Sequence, residues 1–265
     1  MKELKNAVPE QYICKYIGVT TLLLHVLPSK TIRLSPFKEM NDPRETNGGG
    51  FELEPAVSDT PPYSMSEKTE IESSFRQRYK NNSFVFCATL DKKTGSKEMK
   101  RGYGMPRMWA QYGDNHAGAC LVFDRAKLQS LADRKFLKDC WYDRVDYDPL
   151  MLSAGVGAYT FNYEEYKSKG FEYFKQLATQ YKEQLYFRKH TDWQGEQEWR
   201  IATLSEEGSN TGLLLPYEDA LKYIVLGDRA TENTIKAVRY MYSGNIHQLK
   251  YVQDKEDFLL THPSE

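Results

Sequence analysis

Glutamate, glutamate and arginine stand at alternate positions in Trp193-Gln194-Gly195-Glu196-Gln197-Glu198-Trp199-Arg200, a run that leads into Ile201-Ala202. Side chains of an extended chain alternate between faces, so a strand here puts Glu196, Glu198 and Arg200 on one face and Gln197 and Trp199 on the other. Two carboxylates about 7 Å apart along a strand repel unless something neutralises them, and Arg200 is the nearest neutraliser. A fold can leave this face in water, as a solvated edge strand with its own ion pair. Alternatively, one carboxylate carries chemistry while the other orients a substrate.

A chain of 265 residues can bury a substantial core. Charged residues make up 28% and the formal net charge is -1, so no global field attracts nucleic acid or an anionic membrane, and any anion site has to be local. The 19 tyrosines supply amphipathic surface suited to stacking on planar rings as well as to ordinary core. Cys14, Cys87, Cys120 and Cys140 show no Cys-x-x-Cys spacing and read as buried free thiols of a reducing compartment. The N-terminus carries no signal-type apolar run, and no stretch approaches the roughly 18 apolar residues of a membrane span. A cytoplasmic protein without membrane contact is expected.

Along the chain, Tyr12 to Ile17 reads as a strand ended by Gly18, and Thr20 or Thr21 caps a short helix that Pro28 closes. Thr31 to Ser35 is a second strand. Asn41-Asp42-Pro43 is good turn chemistry and also a candidate binding turn. Gly48-Gly49-Gly50 and Pro61-Pro62 bound a long loop of the kind that forms lids. A helix from Tyr63 to Lys80 precedes a strand at Ser83 to Thr89. Between 91 and 107, Lys92, Lys93, Lys97, Lys100, Arg101 and Arg107 face only Asp91 and Glu98, which makes either a solvated loop or a local anion-attracting rim.

Met108-Trp109-Ala110-Gln111-Tyr112-Gly113 is an aromatic-rich helical turn, followed by a loop carrying His116 and a strand from Ala119. His116 offers a general base or a ring-binding donor, or it simply ties the loop to backbone carbonyls. Asp124 starts a helix, Trp141 to Tyr147 is a strand, and a long helical stretch is expected from about Thr160 to Phe187. Further strands follow near 213–215, 223–226 and 247–252, with a helix from about Thr231 to Tyr242. The expectation is one α+β domain over residues 1–265 with a helical insertion at approximately 158–190.

No Gly-x-Gly-x-x-Gly, Walker loop, His-Glu-x-x-His or Gly-x-Ser-x-Gly is present, and five scattered histidines predict no metal site. Lys15-Tyr16, Arg33-Leu34-Ser35, Asn41-Asp42-Pro43, Met108-Trp109-Ala110-Gln111-Tyr112, His116-Ala117-Gly118 and Trp193 followed by Glu196-x-Glu198-x-Arg200 occur in one order. Together they resemble the bacterial family catalogued as domain of unknown function 2971, from about Tyr12 to Val225. A more distant resemblance is to the ADP-ribosyltransferase superfamily, which has an Arg or His on the first core strand, Ser/Thr or Tyr on a middle strand and a Glu, often within Glu-x-Glu or Gln-x-Glu, on a late strand. This chain offers Lys15 or Tyr16, or Arg33 on the next strand, then Ser83 or Thr89, then Glu196-Gln197-Glu198. It departs from the pattern in having Lys at 15 and Cys87-Ala88-Thr89 where Ser-x-Ser is usual.

That resemblance implies a split mixed or antiparallel sheet gripping NAD as a substrate, with Glu198 and Glu196 as catalytic groups. It implies transfer of ADP-ribose to a protein or nucleic-acid acceptor, as in a toxin or phage-defence system. Arg33 would hold the diphosphate and Trp109 or Tyr112 would stack on a ring. The competing expectation is a nucleotide or nucleic-acid sensor built on Trp109, Tyr112, His116 and the 92–107 loop, without chemistry. A nuclease using Asp42, Glu196 and Glu198 is a third.

Overall fold

Short β-branched and aromatic runs supply the strands, and their pairing creates a gap in the sheet. The computed structural model describes residues 4, 7–47, 51–54, 63–94, 98–149, 159–255 and 257–263. Ten strands share one sheet: β1 (Tyr12–Ile17), β2 (Thr31–Pro36), β3 (Ser83–Thr89), β4 (Ala119–Asp124), β5 (Cys140–Arg144), β6 (Glu198–Leu204), β7 (Leu213–Pro216), β8 (Leu221–Leu226), β9 (Asn245–Val252) and β10 (Asp257–Thr261). Their order is β7-β2-β3-β1-β4-β8-β9-β10, with β6 between β3 and β5. β8 and β9 run parallel and the other pairs antiparallel. The described residues form an α+β unit on a mixed sheet.

The sheet forks at β3. One edge of β3 pairs with β6 along its length, Glu198 opposite Thr89 and Leu204 opposite Ser83. The other edge is shared. β2 takes its beginning, with Ser35 opposite Val85, and β1 takes its end, with Cys14 opposite Thr89. Between those two points, about 13 Å at the rise of a strand, neither β1 nor β2 pairs with β3.

Alternation along β3 and β6 serves two core layers. Phe84, Phe86, Trp199 and Ile201 join one cluster with Leu22 and Val26 of the helical run Val19–Ser29 and with Leu128 of the helix Arg125–Phe136. Val85, Ala202 and Leu204 join another, with Phe75 and Tyr79 of Met65–Asn82 and with Phe174 and Leu177 of Phe171–Gln180. A third cluster packs Met108 and Trp109 of the helix Pro106–Tyr112 on Tyr16, Val122 and Val225. Trp109 is 0% exposed. Trp109→Ala is therefore expected to cost about 3–5 kcal/mol, read by urea unfolding.

Several sequence expectations are corrected. The strand starts at Glu198, because Gln197 is left-handed (φ 47°) and ends a 3-10 turn, Thr191–Glu196. The solvated-edge reading fails, since β6 lies between two strands and every residue of it is buried. The helical stretch expected from Thr160 is a strand, Tyr159–Phe161, followed by three helices, Tyr163–Lys169, Phe171–Gln180 and Lys182–Tyr186. Asn162 caps the first of these, and Gly170 at φ 55° separates it from the second. Gly18 rather than Thr20 or Thr21 precedes the Val19–Ser29 run, and Pro28 sits inside its last turn. Of the four free cysteines, Cys14 and Cys120 are buried while Cys87 and Cys140 are half-buried. Gly48-Gly49-Gly50 and Pro61-Pro62 lie outside the described residues, as does Lys97 of the basic loop. No helix of the described residues is long and apolar enough to cross a membrane.

Candidate functional site

A cavity of about 300 Å³ lies at the fork, at the small end of the range for ligand pockets. Lys15 of β1, Arg33 and Ser35 of β2 and Cys87, Ala88 and Thr89 of β3 line it, together with Asn41, Tyr112, Lys189, Glu196 and Glu198. The backbone register draws Cys14, Thr89 and Glu198 into one line across β1, β3 and β6.

Around Glu198 is a buried ion network. Arg200 grips Glu198 with two parallel bonds, Nε to Oε1 and Nη2 to Oε2, both 2.9 Å, and its Nη1 donates to the Tyr186 carbonyl at 2.7 Å. Lys189, on the short strand Arg188–Lys189, donates to Glu196 Oε2 at 2.8 Å and to Glu198 Oε2 at 3.2 Å. Its ammonium also lies 4.6 Å from the Trp193 ring. Glu45, from the helix Pro43–Asn47, brings a third carboxyl 2.6 Å from Arg200 Nη1 and 3.5 Å from Lys189 Nζ, outside hydrogen-bonding geometry. All five side chains are at most 5% exposed, and the two cations occupy the space between the carboxyls.

Burial opposes ionisation of Glu198, but the Arg200 and Lys189 charges outweigh it and hold its carboxyl well below the usual carboxylate range. For Glu45 burial wins over the same two cations, and its carboxyl is raised. Burial alone would push Lys189 down, yet Glu198, Glu45 and Glu196 raise it, so it remains an ammonium. A carboxylate has about four lone-pair sites; Glu198 Oε1 accepts from Arg200 Nε, and the Cys87 thiol also lies in hydrogen-bonding reach of this carboxyl, which leaves capacity for one ligand hydroxyl.

The depressed carboxyl of Glu198 sets a pH dependence. Its contribution to stability is fully present above the ordinary glutamate value of about 4.5 and is lost as pH falls toward the lower folded value. The difference in urea midpoint between wild type and Glu198→Gln is expected to shrink between about pH 5 and about pH 3.

Most of the residues singled out in the sequence converge. Glu196 accepts from Tyr112 Oη at 2.5 Å, and Tyr112 accepts from Asn41 Nδ2 at 3.1 Å. Burial and the bond to Glu196 raise the Tyr112 phenol. Tyr16 borders the cavity but donates its hydroxyl to the Gly102 carbonyl at 2.5 Å. Arg33 is committed to Glu39 at 2.8 Å and to the Thr211 carbonyl at 2.6 Å.

Three candidates stand elsewhere. Asp42 is buried behind the wall, where Oδ1 accepts from the backbone and side chain of Arg44. Trp109 donates Nε1 to the Tyr103 carbonyl and offers no face to a ligand. His116, at φ 71°, stacks on Phe258 at 5.6 Å and does not line the cavity. Its imidazole is lowered by burial and by Arg229. Sequence reasoning missed Lys189 and Glu45, whose only local signal was a charged residue within an otherwise apolar or turn-forming run.

Residues 108–201 match the family model described as "Protein of unknown function (DUF2971)". The match supports that family over a span covering Tyr112, Lys189, Glu196 and Glu198 but neither β1 nor β2. No curated protein matches the chain.

Proposed function

We propose that the protein uses NAD as a substrate, breaking its nicotinamide-ribose bond and transferring ADP-ribose to a macromolecular acceptor. The observation that carries this reading is the lateral line Cys14, Thr89, Glu198 in the lining of a cavity, with Lys15 beside it. Basic, hydroxyl and carboxylate groups thus come from an early, a middle and a late strand, the order of the ADP-ribosyltransferase resemblance. Glu198 would accept a ribose hydroxyl and favour the oxocarbenium-like centre as the bond to nicotinamide breaks. Glu196, hydrogen-bonded to Tyr112, would take the proton of the acceptor. A toxin or phage-defence role would suit such chemistry.

The second reading is a nucleotide-binding module without turnover. In its favour, Arg200 and Lys189 offset the charge of Glu198 and weaken its field at a developing cation. A nuclease has less support, because Asp42 pairs with Arg44 away from the glutamates and Lys189 stands between those glutamates. Incubation with NAD and cell extract, followed by chromatography for nicotinamide, decides between turnover and binding. Release is expected. Its absence alongside tight nucleotide binding would establish the second reading.

A further inference from the structure

Most polar groups on the cavity wall are already engaged. Arg33 is held by Glu39 and Thr211, Tyr112 by Asn41 and Glu196, and Lys189 by its glutamates. Three side chains differ. Among the described residues, Lys15, Ser35 and Thr89 make no side-chain hydrogen bond or ion pair, and the nearest recorded partner of Lys15 is the Phe86 ring at 5.4 Å. Thr89 is only 2% exposed, and its hydroxyl keeps part of that small opening.

These three groups come from the three strands that meet at the fork. They border the stretch of β3 between Val85 and Thr89 that neither β1 nor β2 covers. Their chemistry is complementary to one kind of ligand. An ammonium offers three donors and each hydroxyl one, with no carboxylate among the three, which suits the several acceptor oxygens of a phosphate.

We propose that Lys15, Ser35 and Thr89 form a phosphate subsite that takes the diphosphate of a nucleotide. This rests on the reading of the cavity as an NAD site and assigns the diphosphate to Lys15 of β1, Ser35 of β2 and Thr89 of β3. Arg33 becomes a strut that fastens β2 to the 211 loop through Thr211 and to Glu39. A phosphate entering at this point lies next to Glu198, so a ribose attached to it stays within the same 300 Å³ cavity.

The test is calorimetric titration of the full chain with ADP-ribose, inorganic diphosphate, inorganic phosphate and nicotinamide riboside, which lacks the diphosphate. Lys15→Gln is expected to weaken ADP-ribose and inorganic diphosphate by about ten- to a hundredfold, the effect of losing a charged hydrogen bond. Nicotinamide riboside should change less than about threefold, because its contacts lie outside the subsite. Lys15→Arg should restore binding, with thermal melting checking that both Lys15 variants fold. Inorganic phosphate binding as tightly as inorganic diphosphate would overturn the assignment to a diphosphate. So would wild-type affinity in Lys15→Gln, an equal loss of nicotinamide riboside in Lys15→Gln, or no binding of any phosphate ligand by wild type. Should ADP-ribose binding depend on Lys15 while NAD is never cleaved, the subsite stands and the transferase reading falls.

Discussion

Arg200→Leu is expected to lower the melting temperature by on the order of 10 °C, corresponding to about 3–5 kcal/mol. Arg200 is 0% exposed and makes three hydrogen bonds, two to Glu198 and one to the Tyr186 carbonyl. Its loss leaves Lys189 as the one cation for Glu45, Glu196 and Glu198, and it strands a buried carbonyl. Leucine fills part of the volume, so the cost is mainly electrostatic. Pairing it with Glu198→Leu should recover part of the loss, because the second change removes the charge that the first exposed. Scanning calorimetry of the two variants is the measurement. A drop of less than about 1 kcal/mol for Arg200→Leu would mean that the network is open to water.

Glu198→Gln should leave the protein folded but slow nicotinamide release by about a hundred- to a thousandfold. Glutamine keeps an oxygen for Arg200 and nearly the same volume, while losing the charge that would stabilise the developing oxocarbenium centre. NAD binding, which draws on the rest of the wall, should change by less than about tenfold. Paired measurements of release rate at saturating NAD and of affinity separate the two effects. Equal release from variant and wild type would remove Glu198 from the chemistry.

The ion pair between Glu198 and Arg200 was legible, because residues two apart on a strand share a face whatever surrounds them. So was the convergence of Lys15, Asn41, Tyr112 and Glu196, whose order along the chain suggested one site. Depth was not legible. The same alternation describes an edge strand and an interior strand, and only the pairing of β6 with both β3 and β5 shows which this is.

Lys189 and Glu45 escaped because their roles depend on contacts between distant segments. Glu45 lies more than 140 residues before Lys189 and Arg200 and meets both only after folding. Trp109 was misplaced for a related reason: an aromatic at helical spacing looks alike whether its face meets core or ligand. His116 was drawn away by a left-handed loop that no local pattern announced.

The most direct test of the account is a crystal structure of Glu198→Gln grown with NAD, a variant chosen so that the substrate survives. The predicted result has the ribose next to nicotinamide hydrogen-bonded to residue 198 at about 3 Å, with the diphosphate at Lys15. Nucleotide bound elsewhere on the molecule, or a fork cavity that stays unfilled at saturating NAD, would contradict it.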